Sequence, residues 1–558
     1  MIKKSNILTL LLLTSLLQAN QLTKRVPLNP PNCNGYIEKS GEDTNGNNIL
    51  DDNEVNSTVE HYDDGTPLTR EELISMIENE DDVTSVNTCK ITNMSGLFKD
   101  NYEFDQPIGN WDVSNVTDMS EMFSYATAFN RSLENWDVSS VQNMHKMFNS
   151  ATSFNQPVAG WDVSNVTNMR KMFKFADNFN QPLGNWDISM VSDISQMFFG
   201  ASLFNQPIGN WDVSNITNMK NLFWDAHSFN QPIENWDVSG VTNMVNMFYN
   251  AEAFNQPLGN WDVTSVLDMT QMFYRAISFN QNINNWNLAS VYTLDGMFKE
   301  AIEFNQPLDK WDLSGVGSVS RLFQGATSFN QPIGSWDMTS ITTMYLMFNN
   351  ASSFNQPIGE WDVSNVITMN GLFRNASKFN QPIGDWEVSN VKSMSYMFAN
   401  AKAFNQPLYN WDVVNVESTN YMFNGAEKFN QPIGDWEFKK LTTTIAMFKN
   451  SKSFNQPIED WNLSKVIKTS YMFEDANSFN QSVGDWNISN VRSMKNMFKG
   501  VTLSSDNYDD ILIKWNNLSL RKNINFHAGE SRYSQDGKEA RESIINKFLW
   551  TITDGGEI

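Results

Sequence analysis

The chain has 558 residues, 40% of them apolar, and a formal charge of −24. That apolar content excludes wholesale disorder, and the acidity disfavours nucleic acid or an anionic lipid surface as partners. Counts of 19 Trp, 38 Phe and 28 Met against 2 Cys and 4 His point to one short unit copied many times rather than to several unrelated domains.

In residues 1–19, Lys3 and Lys4 precede a largely apolar run from Ile7 to Leu17 that ends near Ala19, the pattern of a secretory signal peptide. The run is short for a membrane span and no other stretch is as apolar as a span requires. The mature protein is therefore expected outside the cytoplasm without an integral anchor.

An acidic leader follows over residues 20–66. Within it, Asp43, Asn45, Asn47, Asp51 and Glu54 offer side-chain oxygens and Ile49 a backbone carbonyl, at the spacing of an EF-hand-type calcium loop. Asn48 stands where Gly makes the sharp turn, and Asn also tolerates a left-handed backbone. The other reading of this segment is an acidic, Asn-rich linker. Cys33 and Cys89 flank it, either as a disulfide formed in an oxidising compartment or as two free thiols. Residues 67–86 read as a helical cap, because Thr69 and Glu72 have capping-box spacing.

From residue 87 to 503 the chain is periodic. Sixteen Trp recur every 25 residues from Trp111 to Trp486, and only Trp224, Trp515 and Trp550 lie outside that column. Two Phe columns, Phe98 to Phe498 and Phe104 to Phe479, keep the same period. An unbroken register means that every copy occupies the same geometric slot, as coils of a solenoid do. The fold class expected is an α/β repeat solenoid of right-handed, leucine-rich-repeat-like coils, capped at both ends, with residues 504–558 closing the second end. Stacked at the strand spacing of about 4.8 Å, the coils would form a rod roughly 75 to 80 Å long.

Within a copy, Ile208, Trp211 and Val213 follow the apolar-x-x-apolar-x-apolar pattern that reads as a short parallel strand. The next stretch, V-T-N-M-x-x-M-F-x-x-A, spaces its apolar residues three or four apart and reads as a short helix opened by Thr or Asn. The Asn after the second Phe, present in every copy from Asn130 to Asn480 with Asp105 before them, reads as a structural amide joining adjacent coils. The Met columns read as gap-filling core rather than as soft-metal ligands.

The repeat, with F-N-Q-P-I-G-N-W-D-V-S-N-V-T-N-M as its signature, resembles that of BspA-type leucine-rich-repeat surface proteins of bacteria, in their 25-residue lipoprotein-associated version. The likeness covers about residues 83 to 503, and the closing segment around Y-D-D-I-L-I-K-W-N-N-L resembles the end common to these proteins. It implies a secreted or surface-exposed protein of adhesion or recognition, with no catalytic residues to carry over.

The acidity is concentrated. Residues 37–82 carry fifteen acids and two bases. The residue after the repeat Trp is acidic in thirteen of sixteen copies: Asp112, Asp137, Asp162, Asp187, Asp212, Asp237, Asp262, Asp312, Asp337, Asp362 and Asp412, with Glu387 and Glu437. Stacking places these acids in one row, and the Asp members form the expected binding face for an extracellular protein or glycan. A structural alternative is that each Asp bonds a turn amide of the next coil. A secreted carbohydrate-active enzyme using the same carboxylates is the competing function, but catalysis needs a pair in unlike environments and these acids are alike by position. Ice binding needs an unbroken Thr row, and Gln142, Leu267, Tyr292, Gly317 and Lys392 interrupt the available one.

Overall fold

The structure, a computed structural model, describes residues 66–558 and, upstream, strands β1 (Glu38–Gly41) and β2 (Val55–Val59). The signal-like segment, Cys33 and the calcium set Asp43, Asn45, Asn47, Ile49, Asp51 and Glu54 lie outside the described residues. β1 and β2 pair antiparallel, Glu38 opposite Val59 and Gly41 opposite Val55. Cys89 is buried and carries a disulfide.

Helix α1 (Arg70–Glu78) opens on the capping box. Thr69 N–H donates to Glu72 Oε2 at 2.8 Å, and Glu72 N–H donates to Thr69 Oγ1 at 3.2 Å. It buries Leu73 and Ile77, and Arg70 reaches over the first coil to donate to the carbonyls of Asn93 (3.1 Å) and Ser95 (2.6 Å). In every later coil a carbonyl in these columns accepts a backbone N–H from the coil before it, so Arg70 covers an edge with no preceding coil.

Successive coils are joined by parallel single-residue bridges running from Asn93↔Asp118 to Lys468↔Ser493. The coil interior differs from the sequence expectation in two respects. The bridges fall in the Asn93, Asp118 and Asn143 column, not in the segment around Trp. There Trp211 N–H turns back to the carbonyl of Ile208 (3.2 Å) and Ile216 N–H to that of Val213 (2.9 Å). The Gly209-Asn210 pair between Ile208 and Trp211 is turn-forming, so the apolar spacing belongs to two tight turns rather than to a strand.

The second correction is that the repeats contain no helix. In the coil of Met119, N–H groups alternate between two destinations. Those of Met119, Glu121, Phe123 and Tyr125 donate to Asn143, His145, Met147 and Asn149 of the next coil, at 2.7–2.9 Å, whereas those of Met122, Ser124 and Ala126 close turns on residues three back. Glu121 (φ 57°) and Tyr125 (φ 63°) sit third in two of these turns, in the left-handed region that type II geometry requires, and their columns do so throughout. A left-handed non-Gly residue costs about 1–2 kcal/mol. Two directed hydrogen bonds from each such turn to the neighbouring coil offset it. The ribbon still points Met119, Met122, Phe123 and Ala126 inward, all fully buried, so its apolar spacing is the same as a helix's and the period could not tell them apart. The residue read as a helix cap instead makes an Asx turn, Asp118 Oδ1 accepting Ser120 N–H at 2.8 Å.

The core is three aromatic ladders. Phe98 stacks on Phe104 within its coil (centroids 3.8 Å) and on Phe123 of the next (5.4 Å), and Trp136 stacks on Trp161 at 6.4 Å. Each repeat Trp also donates its Nε1–H to a carbonyl of the preceding coil, as Trp236 does to Ile208 at 3.1 Å. The Asn column is the structural amide expected: Asn155 N–H donates to Asn130 Oδ1 at 3.0 Å, and Gln156 Nε2 donates to the same oxygen at 3.0 Å. After the last coil, β3 (Asn525–His527) continues the stack through Met494↔Phe526 and pairs parallel with β4 (Thr551–Thr553). Helices α2 (Ser505–Asn516) and α3 (Gln535–Phe548) accompany them, and Phe526 packs edge-on between Trp515 and Trp550, both buried.

Candidate functional site

The acids after the repeat Trp form a single row because each follows an inward Trp and precedes an inward aliphatic residue, which turns the side chain between them outward. All are exposed except Asp112, which is half-buried. Their bonds are local and lie within the same coil rather than reaching the next. Asp162 Oδ1 accepts Ser164 N–H (3.1 Å) and Ser164 Oγ–H (2.7 Å), and Asp237 and Asp262 hold Ser239 and Thr264 in the same way. Asp137, Asp187, Asp312 and Asp412 accept the amide two residues on at 2.9–3.1 Å.

The hydroxyl two residues on, helped by its amide, holds the carboxyls of Asp162, Asp187, Asp237, Asp262, Asp337 and Asp362 below the ordinary range. Neighbours in the row oppose this: Asp187 raises Asp162, and Asp237 raises Asp262. These six carboxyls are therefore held in their charged form, and neighbours in the row repel one another. Shallow hollows open on this face. One, of about 580 Å³, gathers the carboxylates of Glu360, Asp362, Asp385 and Glu387. Another, of about 370 Å³, lies along the turns before the Trp column, lined by Pro, Gly and Asn with Ala159 and Glu234, and includes no member of the acidic row. No group of three or more His, Cys, Asp or Glu among the described residues is placed to hold a metal ion.

A second surface feature escaped the reading of columns. Phe199, Trp224, Tyr249 and Tyr274 are 25 residues apart, so they stack on the outside of consecutive coils, at 5.2, 3.8 and 4.2 Å between centroids. Trp224 stood out only as a Trp off the main column. Scanning every column for runs of one chemical type, rather than for invariance, would have found the row.

The chain is thus a repeat protein, a solenoid of stacked 25-residue coils with two chemically distinct outer faces. It belongs to the family described as "Mycoplasma protein of unknown function, DUF285", which matches residues 71–186, 173–276, 256–358, 331–433 and 409–511. No curated protein matches it. Among solved structures, an internalin from Listeria monocytogenes is similar at 12% identity over 86% of this chain and 93% of that chain, with a TM-score of 0.12 that carries no argument about coil shape. No helix among the described residues is long and apolar enough to cross a membrane.

Proposed function

We propose that the chain is a BspA-like repeat protein of the cell exterior, secreted or held at the surface, that works in adhesion or in protein or glycan recognition through its acidic face. A comparison within the chain supports this reading. Asn287, Asn462 and Asn487 occupy the acidic column and make the same turn, their Oδ1 atoms accepting the amide two residues on at 3.1 Å. The turn needs an oxygen, not a charge. Thirteen carboxylates in register are then a repulsive cost without a structural return, roughly 1 kcal/mol for each adjacent pair in water. A ligand that is cationic, or bound through cations, gives that charge a use.

The test screens the purified chain on glycan and matrix-protein arrays, with and without calcium, and titrates the ligand found against the combined Asp187→Asn, Asp212→Asn, Asp237→Asn and Asp262→Asn variant. Weaker binding is expected, with thermal stability kept or raised because the repulsion within the row is relieved. Unchanged binding with a lowered Tm would leave the row a structural role only.

The leader loop is proposed to take calcium through Asp43, Asn45, Asn47, Ile49, Asp51 and Glu54. Calorimetry on the whole chain should show uptake that the Asp43→Ala, Glu54→Ala variant lacks. Absence of heat at millimolar calcium ends that idea.

A further inference from the structure

Where side chains of adjacent coils bring cations together, the chain usually supplies carboxylates beside them. Glu474 takes Lys449 at 2.5 Å and Lys499 at 3.4 Å, and Arg275 lies 3.8 Å from both Glu252 and Glu300. Glu121 takes Lys146 at 2.6 Å and Lys99 as well. One group lacks this arrangement. Lys171 shares a column with Lys146, one coil step or about 4.8 Å further on, and the Lys146 N–H donates to the carbonyl of Arg170 at 3.0 Å. Among the described residues the side chains of Arg170 and Lys171 make no hydrogen bond or ion pair, and Lys174 Nζ donates to Gln196 Oε1 at 3.2 Å. Lys174 also lies 4.6 Å over the Phe199 ring, which offers it no formal charge. Outside the acidic row, these two coils carry the acids Asp177 and Asp193. Neither forms an ion pair, and Asp193 turns its carboxylate to the Ser195 N–H (2.7 Å) and to Asn218 Nδ2 (3.4 Å).

The cations are close enough to act on one another. Burial first, then Lys171, Lys146 and Arg170, hold the half-buried Lys174 ammonium below its ordinary range, and no carboxylate opposes them. Burial, Arg170 and Lys146 do the same to Lys171, with Glu121 alone opposing. His145 is lowered by burial and by the same cations, and its buried Nδ1 has no partner.

The register shows what is missing. Lys99 reaches 22 residues ahead to Glu121, and Lys174, three coils on, reaches 22 residues ahead to Gln196, with the same two columns at either end. Glu and Gln have one shape. The slot that holds a carboxylate at Glu121 therefore holds an amide at Gln196, which accepts an ammonium hydrogen bond and neutralises no charge.

We propose that Arg170, Lys171 and Lys174, with Lys146 and His145 at their edge, form an anion site, separate from the acidic face, for a compact tetrahedral oxyanion: a phosphate or sulfate group. Such a group presents several oxygens to donors arriving from different directions, and a guanidinium beside ammonium groups matches it. A single carboxylate carries one charge and leaves two of the three cations unanswered. An acidic polymer needs cations repeated coil after coil, whereas the columns of Lys171 and Lys174 continue as Gln196 and Phe199, and Asp225 stands two coils beyond.

The test uses the whole chain with inorganic phosphate, sulfate and acetate at matched ionic strength. Phosphate and sulfate should slow the labelling of Lys171 and Lys174 by an amine-directed acylating reagent several-fold, read residue by residue by mass spectrometry, and acetate should not. Gln196→Glu restores the Lys99–Glu121 arrangement at this coil. It should weaken phosphate and sulfate about tenfold or more, because the new carboxylate competes for the cations, while Tm is kept or raised. Arg170→Gln, at an exposed position, should weaken both anions several-fold with the circular dichroism unchanged. The variant carrying Asn at Asp187, Asp212, Asp237 and Asp262 should bind them as the parent does, which separates this site from the acidic face. Tighter binding of a hexose phosphate or hexose sulfate than of the free ion assigns the group to an ester, and the reverse order assigns the free ion itself. No protection of Lys171 and Lys174 by phosphate or sulfate, equal protection by acetate, or full protection in folded Gln196→Glu overturns the proposal.

Discussion

Asn305 Oδ1 accepts the backbone N–H of Asn330, one coil further on, at 2.9 Å, and the Nε2 of Gln331 at 3.1 Å. One side-chain oxygen thereby satisfies two donors of the neighbouring coil, and the same contact repeats along the solenoid. Asp105 does it for Asn130 at the start of the column (3.0 Å), so the acceptor oxygen is what matters. Asn305→Ala should cost about 1–3 kcal/mol, the loss of an acceptor for a half-buried amide. Asn305→Asp should cost much less at neutral pH. Hydrogen exchange at the Asn330 amide separates them, since the opening should be local. Equal protection in both variants would show that the column does not bind the coils.

Trp236 has two roles that one substitution can divide. Its ring stacks between Trp211 and Trp261 at 6.4 Å on either side, and its Nε1–H donates to the buried Ile208 carbonyl. Trp236→Phe keeps a ring but orphans the carbonyl, for an expected loss of about 1–3 kcal/mol. Trp236→Ala adds a cavity and should lose about 3–5 kcal/mol. Thermal unfolding of the two variants checks the order.

Thr419 replaces Met in an inward column, fully buried, and its hydroxyl has no hydrogen-bond partner. Two coils on, Thr469 at least faces a sulfur, Met497 Sδ at 3.7 Å, and Thr444 faces Met472 Sδ at 3.4 Å. Thr419→Val should therefore stabilise the protein by about 1 kcal/mol, because the shape is kept and a stranded hydroxyl is removed. A lowered Tm would show that the hydroxyl has a partner.

Glu121 supplies a pH dependence. Lys146 first, then Lys99, hold its carboxyl at about 2 against an ordinary 4.5. A depressed carboxyl stabilises the fold above its unfolded value, and that contribution is lost as pH falls from about 4.5 toward 2. Allowing for solvent screening it amounts to about 1–2 kcal/mol. The Tm gap between the parent and Glu121→Gln should be widest near neutral pH and close by about pH 2. A gap independent of pH would remove the ion pair from the account.

A solenoid was legible because the period of 25 admits no slippage from Trp111 to Trp486, and a fixed register of buried aromatics can be satisfied only by stacking. The inter-coil role of the Asn column was legible for a related reason: an amide that recurs where the chain turns has to satisfy the backbone beside it. The path of the chain within a coil was not. A helix and a ribbon of alternating turns direct apolar side chains inward at the same intervals of three and four. Only where the N–H groups go, to residues three back and to the next coil, separates them.

The faces divide along the same line. The sequence alone determined that Asp162 and its counterparts share one slot, because identical positions in identical coils must line up. Tertiary structure decided what they do there, each holding the hydroxyl or amide two residues on, in a turn that Asn287 makes equally well without charge. It also decided that the column of Phe199, Trp224, Tyr249 and Tyr274, which the period places in one slot, faces outward with its rings stacked on one another. Which way a column faces, inward as at Phe198 or outward as at Phe199, is set by the turns within the coil, and those turns are fixed only by the hydrogen bonds to residues three back and to the next coil.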